Sequence, residues 1–373
     1  MTWRIPFNRV DPLGEEVAYV QQAIANGQLA GDGPFGARCE RALEELLGSR
    51  VLLTTSGSRA LELAALLLQL EPGDEVIVPS FAYPTSAGAF ALQGARPVFA
   101  DIRPDTLNID EAQVEGLITE RTRAVLALHY AGVACDLDAL AGFGVPIVED
   151  NALGLFGRYG GRNLGTFGRF AALSFHETKN VSSGEGGALV LNDPLDIERA
   201  EILRDKGTNR KRFLRGEVPA YTWVDVGSSC APSELLAAFL AAQLERSSEI
   251  QVARRRVWER YDESLASWAE HTNTGRPFVP QGVEQAYHMY YLLLPDRGGR
   301  DALIEHLAAR GILAAFHYQP LHLSEAGHHL GGRPRQCPVA EDVADRIVRL
   351  PFFTTLAPSD QDEVIETIIK FEA

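Results

Sequence analysis

No run in this 373-residue sequence approaches the roughly 18 apolar residues a membrane-spanning helix needs. The longest aliphatic stretch, Leu61–Leu70, is interrupted by Glu62 and Gln69. The amino-terminal Met1-Thr-Trp-Arg-Ile-Pro6 lacks the long apolar core of a signal peptide, so a cytoplasmic protein without a membrane partner is expected. Cysteine is scarce. Cys39, Cys135, Cys230 and Cys337 stand far apart with no CxxC pair, which reads as free thiols suited to a reducing compartment. The histidines are scattered, and the only adjacent pair, His328-His329, cannot share one helix face, so no metal site is expected. Positive charge is also in deficit, with 35 basic against 50 acidic side chains and a net charge of −15. A nucleic-acid backbone would be repelled over most of such a surface, and no nucleic-acid partner is expected. A small anion needs only local positive charge. Arg204, Lys206, Arg210, Lys211, Arg212 and Arg215 supply it in one short stretch, which reads equally as a solvated basic loop.

What is present is an alternation. From about residue 50, short β-rich runs (Val51–Thr54, Glu75–Pro79, Pro97–Ala100, Ala124–Leu128, Pro146–Glu149) alternate with helix-like runs (Ser58–Leu70, Thr85–Gln93, Asp110–Ile118, Asp136–Ala141). That rhythm predicts an α/β fold with a mainly parallel sheet flanked by helices. Two further strands, Phe170–Phe175 and Gly187–Leu191, bracket a loop of unusual composition. Pro232–Arg256 has few helix breakers and reads as one long helix leading out of the large domain. Beyond it, strands at Ala286–Leu294 and Leu313–Phe316 and helices at Asp301–Ala309, Val339–Val348 and Ser359–Phe371 suffice for a smaller α+β domain. The expected organisation is a large domain over 1–245, with residues 1–35 as an arm, and a small domain over 246–373.

Three segments carry chemistry. Leu53-Thr-Thr-Ser-Gly-Ser-Arg-Ala60 is a strand–turn–helix junction in which Ser56, Gly57 and Ser58 place backbone amides at a helix start. Such a start either caps the helix or holds an anion such as phosphate. Pro146-Ile-Val-Glu-Asp150 is an apolar strand ending in two acids at the same sheet edge. A carboxylate there can pair with a protonated ring nitrogen, or cap the next turn. Leu173-Ser-Phe-His-Glu-Thr-Lys-Asn180 puts Lys179 just before Val181-Ser-Ser-Gly-Glu-Gly-Gly187, a stretch expected to be flexible. Room to move suits a lysine that bonds to a carbonyl carbon and then shuttles a proton.

In their order and separation these segments resemble the fold type I pyridoxal-phosphate enzymes. Within them the sequence is similar to the DegT/DnrJ/EryC1/StrS sugar aminotransferases. The resemblance runs from Ile5-Pro-Phe7 to the last helix and includes Pro72-Gly-Asp-Glu-Val76, Pro79-Ser-Phe-Ala-Tyr83, Val148-Glu-Asp150 and Gly184-Glu-Gly-Gly187. His129-Tyr-Ala-Gly-Val-Ala-Cys135, Lys206-Gly-Thr-Asn-Arg210, Tyr221-Thr-Trp223 and Phe316-His-Tyr318 look like the dTDP-4-amino-4,6-dideoxygalactose transaminases within that family.

The resemblance implies pyridoxal 5'-phosphate as cofactor, carried by Lys179, with Asp150 at the pyridinium nitrogen and Tyr83 stacked on the ring. It implies a phosphate held by Ser56, Gly57, Ser58 and Ser174, with Ser229 reaching the same phosphate from the other subunit of a homodimer. It further implies L-glutamate as amino donor and a dTDP-linked keto sugar as acceptor, bordered by Lys206, Arg210, Tyr221, Trp223, His317, Tyr318 and His322. Related sugar dehydratases carry histidine where Lys179 stands, so this lysine favours amino transfer. One departure concerns Leu153, where many members place Gln or His against the ring hydroxyl. Leu153 cannot hydrogen-bond there, which leaves the contact to Asn151 or a water. A cyclitol or 3-keto sugar aminotransferase of the same family and a non-catalytic regulatory protein of this fold remain as alternatives. A nicotinamide dehydrogenase ranks last, because no G-x-G-x-x-G follows the first strand.

Overall fold

The computed structural model describes residues 3–371. Residues 1–2 and 372–373, the extreme ends of the two expected domains, lie outside the described residues. A seven-stranded sheet comprises β1 (Arg50–Thr54), β2 (Glu75–Pro79), β3 (Arg96–Ala100), β4 (Thr122–Leu128), β5 (Ile147–Asp150), β6 (Phe170–Ser174) and β7 (Gly187–Leu191). Its order is β1-β7-β6-β5-β4-β2-β3. Every pairing from β6 through β5, β4 and β2 to β3 is parallel, and only β7 runs against its two neighbours, β1 and β6.

Both faces of the sheet are covered, which is why its strands read as near-continuous apolar runs. Val76, Val78, Leu126, Val148 and Phe170 pack on one face against helix Gly57–Leu67 and helix Pro84–Ala91. Ile77, Val125, Ala127 and Ile147 face the other way, towards Val114, Leu137 and Leu140. Because successive strand residues alternate faces, Asp150 shares the side of Val148 and Glu149 that of Ile147. All four cysteines are buried and free. Among the described residues no helix is long and apolar enough to cross a membrane.

A separate apolar cluster gathers Ile5, Val257, Tyr261, Leu265, Leu292, Leu303 and Val364 around a two-stranded sheet, β8 (Tyr291–Leu293) and β9 (Ile347–Arg349). Three expectations change here. The single helix over Pro232–Arg256 is two, Glu234–Glu245 and Ser247–His271, parted at Arg246. The strand expected at Leu313–Phe316 is reduced to an isolated bridge from Ala315 to Arg349. The arm contains a helix, Glu16–Ala25, whose buried Glu16 accepts the amides of Leu13 and Gly14 and the side-chain amide of Gln243.

Candidate active site

The carboxyl ends of β1, β5 and β6 open into a cavity of about 710 Å³. Ser56, Gly57, Ser58, Tyr83, Asp150, Ser174, Lys179, His317 and Tyr318 all line it, although they come from segments far apart in the chain. Where β1 ends, Ser56 caps the following helix by accepting the Arg59 amide at 3.1 Å. The Ser58 and Thr85 hydroxyls meet at 3.1 Å beside it. A side chain at Gly57 would stand 2.9 Å from the Ser174 Cβ. One at Gly187 would fall 2.3 Å from the Ser56 carbonyl carbon, so bare backbone at both positions lets β7 and the turn close together. The result is a cradle of free amides at a helix start, which suits a phosphate.

Asp150 sits at the end of β5, and its carboxylate accepts the Ser86 hydroxyl at 2.7 Å and the Ala152 amide at 3.2 Å. Its neighbour Glu149 points away from the cavity. Glu149 is fully buried and accepts the amides of Gly165, Phe167 and Gly168, each at 2.7 Å, and pairs with His129 at 3.0 Å. Burial pushes the Glu149 carboxyl up, and the imidazole together with these amides outweighs it, holding the group below its ordinary range.

Lys179 lies in the loop that joins β6 to β7. Glycine and serine had suggested flexibility there, yet the loop is hydrogen-bonded across itself, from Phe175 N–H to Gly186, Glu177 N–H to Gly184 and Ser183 N–H to Phe175, and Val181, Ser182 and Ser183 are buried. Part of the lysine meets the open cavity, but protein surrounds its ammonium closely enough for desolvation to dominate. The pKa falls to about 8, with Asp150 opposing the fall and the Arg349 charge adding to it.

Sequence reasoning missed several lining residues, among them Phe7, Thr85, Ser86, His288 and Arg349. Two histidines here are held neutral, since burial pushes the His288 and His317 imidazoles well below their ordinary range and nearby cations push further. Asn180 gives its amide N–H to the Ala286 carbonyl at 2.6 Å, so its oxygen accepts from His288 Nδ1 at 3.0 Å. His317 shares a 2.6 Å hydrogen bond with Tyr130. Arg349 interrupts the apolar run Ile347–Leu350, a signal that could have singled it out.

Other expected contacts lie elsewhere in the subunit. His322 is buried between Ser80 and Glu341, away from the cavity. Lys206 and Arg210 lean on Asp205, at 2.7 and 3.7 Å. Tyr221, Trp223 and Ser229 are exposed, Trp223 by 78 %. Leu153 does line the cavity, but Asn151 does not compensate for it. Asn151 donates to the Leu164 carbonyl at 2.9 Å on the far side.

Lysine, cavity-lining acid, exposed aromatic face and anion cradle, set at one edge of a mainly parallel sheet, define a fold type I pyridoxal-phosphate enzyme. The chain matches the DegT/DnrJ/EryC1/StrS aminotransferase family over residues 12–369 and belongs to it. Spr1654 of Streptococcus pneumoniae, described as a sugar aminotransferase and solved in its PMP form, superposes with a TM-score of 0.91 at 28% identity, covering 98% of both chains. The aminotransferase TlmJ of Streptoalloteichus hindustanus gives 0.88 at 32%, covering 99% of this chain and 98% of its own. A pleiotropic regulatory protein of Geobacillus stearothermophilus is 32% identical over 322 residues, which is 85% of this chain and 83% of that protein. The protein is a pyridoxal-phosphate-dependent aminotransferase.

Proposed function

We propose that the enzyme transfers an amino group from L-glutamate to C4 of a nucleotide-linked 4-keto-6-deoxy sugar, dTDP-4-keto-6-deoxyglucose being the first candidate, in deoxyaminosugar biosynthesis. The carrying observation is the convergence of Lys179, Asp150, the 56–58 cradle and two neutral histidines on one cavity. With Lys179 and Arg349 against Asp150, this cavity is a cationic spot in an acidic protein, which favours anionic ligands.

When bound, pyridoxal phosphate supplies an aldehyde carbon that exchanges amines and a ring that draws electrons from the reacting carbon. In this reading the amides of Gly57 and Ser58, with the hydroxyls of Ser56, Ser58 and Ser174, hold its phosphate. Tyr83, 56 % exposed towards the cavity, offers a flat ring face. Asp150, oriented by Ser86, sets its charge against the ring nitrogen. Lys179 carries the cofactor and, once displaced, moves the substrate α-proton through Nζ, for which a pKa near 8 is well matched. His317 and Tyr318 border the sugar. Lys206, Arg210, Tyr221, Trp223 and Ser229 act in a homodimer, where this exposed segment completes the partner's site and meets the nucleotide and the cofactor phosphate. His322 supports that wall from behind.

Incubation with glutamate and dTDP-4-keto-6-deoxyglucose, followed by NMR of the product, tests the reading and gives the C4 configuration. Amination of a cyclitol ketone with no reaction of the sugar nucleotide would replace it with the cyclitol alternative. Bleaching of the bound cofactor's absorbance by glutamate would identify glutamate as an amino donor, and no bleaching would remove it from that role.

A further inference from the structure

Behind the large cavity a serine, a histidine and a carboxylate stand in line. Ser80 follows β2, His322 lies in the turn Leu321–Leu323, and Glu341 is in the first turn of the helix Pro338–Arg346. Ser80 Oγ accepts the His322 amide at 3.4 Å, which turns its own hydrogen towards His322 Nδ1 at 2.5 Å. Nε2 therefore carries the ring hydrogen and donates it to Glu341 Oε1 at 2.9 Å. These are the donor and acceptor roles of a hydrolytic triad, but the surroundings exclude that chemistry. Ser80 and His322 are fully buried, and neither lines the large cavity. A side chain at Gly332 would fall 2.3 Å from the His322 carbonyl oxygen, so the chain folds closely over this turn.

What the line does is join two walls of the site. From Ser80 the chain continues to Phe81 and Tyr83, and it reaches His322 from His317 and Tyr318. The Leu321 amide also donates to the Ser80 carbonyl at 2.8 Å. Between these segments the Phe81 ring packs edge-on against Tyr318 and His317, with centroids 5.6 and 6.0 Å apart. Tyr83 and Tyr318 both line the cavity, their ring centroids separated by 6.3 Å. Glu341 is anchored in turn, since Asp101, just past β3, accepts the Val339 and Ala340 amides at the start of its helix, each at 2.8 Å. Both ends of the line are thus tied to the large sheet.

Resting on the sugar acceptor proposed above, we propose that His322 is a positioning residue: held between Ser80 and Glu341, it locks the segment bearing His317 and Tyr318 to the sheet edge bearing Tyr83, and so sets the gap in which the keto sugar meets the cofactor ring. Without the imidazole, the Ser80 hydroxyl and the Glu341 carboxylate lose their shared partner, and the segment relaxes rather than leave a buried hydroxyl unpaired. A gap fixed before the substrate arrives needs no ordering on binding.

The test uses the cofactor-loaded protein and reads each half-reaction separately. In His322→Phe, which keeps a ring and loses both hydrogen bonds, the KM for the amino-sugar nucleotide should rise about 10- to 100-fold, with a smaller change in the rate at saturation and in the KM for glutamate. Ser80→Ala should move the sugar KM in the same direction. His322→Asn, whose side-chain oxygen can still accept from Ser80, should recover part of the loss. Visible circular dichroism of the bound cofactor, which needs no substrate, should change in His322→Phe as Tyr83 shifts. A lower melting temperature with the KM ratio and the visible band as in wild type would show a purely structural role and overturn the proposal. An equal rise of KM in both half-reactions would overturn it as well. If the wild-type enzyme aminates no nucleotide sugar, the acceptor reading fails instead, and the visible band of His322→Phe and Ser80→Ala then judges the positioning role alone. Should His322→Phe not fold, Ser80→Ala, which deletes one hydroxyl, carries the same comparisons.

Discussion

Lys179 spends part of its folding stability on being partly desolvated, and the sign of that cost can be measured. Its folded pKa of about 8 lies below the ordinary lysine value near 10.5. Below pH 8 the ammonium is charged in both folded and unfolded chains, and the penalty is felt in full. It is relieved as pH rises from 8 towards about 10.5, where only the unfolded chain still holds the proton. The same shift sets reactivity. Capture of pyridoxal phosphate by the cofactor-free protein should accelerate with pH around a midpoint near 8, read from the growth of the cofactor's absorbance. A midpoint at the ordinary lysine value would show that the amine is solvated. Ser86 is the second test at this scale. Ser86→Ala removes the 2.7 Å hydrogen bond that aims Asp150, and a bond to a charged group is worth about 1.5–3 kcal/mol. Transamination should slow roughly 10- to 100-fold with the fold intact, measured by kcat/KM alongside circular dichroism. Sequence motifs made Lys179 and Asp150 legible, because strand ends and glycines frame them. Ser86 and His288 have no such frame, since only the tertiary fold brings them to the cavity, and Arg349 is marked only as a charge inside an apolar run.

Among the elements, β5 divides its last two residues between separate tasks. Glu149, turned from the cavity, ties the segment Gly165–Gly168 to the sheet through three amides. Glu149→Ala would leave those donors buried without an acceptor and His129 without its partner. A loss of about 3–5 kcal/mol is expected by urea unfolding, larger than for a surface acid. This double use was hidden in Val148-Glu-Asp150, where the pair reads as two acids at one edge until strand alternation assigns their faces. The strands themselves were plain, because burial on both faces leaves uninterrupted apolar runs. The break at Arg246 was not. No glycine or proline marks it, and the turn comes from packing, with the Arg246 amide reaching the Gln243 carbonyl at 3.2 Å. The arm misled for a related reason. Nothing around Glu16 in the sequence marks it as buried, but it accepts the amides of Leu13 and Gly14 in the turn before its helix and binds Gln243 in the interior.

For the whole molecule, we propose two domains that part at Arg246, the first built on the seven-stranded sheet and the second on the Tyr261–Leu292–Val364 cluster. The exposed Tyr221, Trp223, Val224 and Val226 form an apolar stretch on an otherwise acidic chain, which fits burial against a second copy. Light scattering should give twice the mass of one chain. Trp223→Asp should shift the protein towards monomer and lower cofactor retention together, and a stable, fully active monomer would refute the shared site. The sequence could point to this segment only through motifs, because which surface meets which is a property of the assembly.

The reversed direction of β7 has a last consequence. Because it returns beside β6, the lysine-bearing segment has both feet on adjacent strands, so the sheet itself sets how far the amine stands from the acid on β5. Deleting one residue between Phe175 and Gly186 would displace that amine by roughly the 3.3 Å rise of a strand residue, more than a bond-forming geometry tolerates. Designers who rework this enzyme therefore have more freedom in the spelling of that segment than in its length.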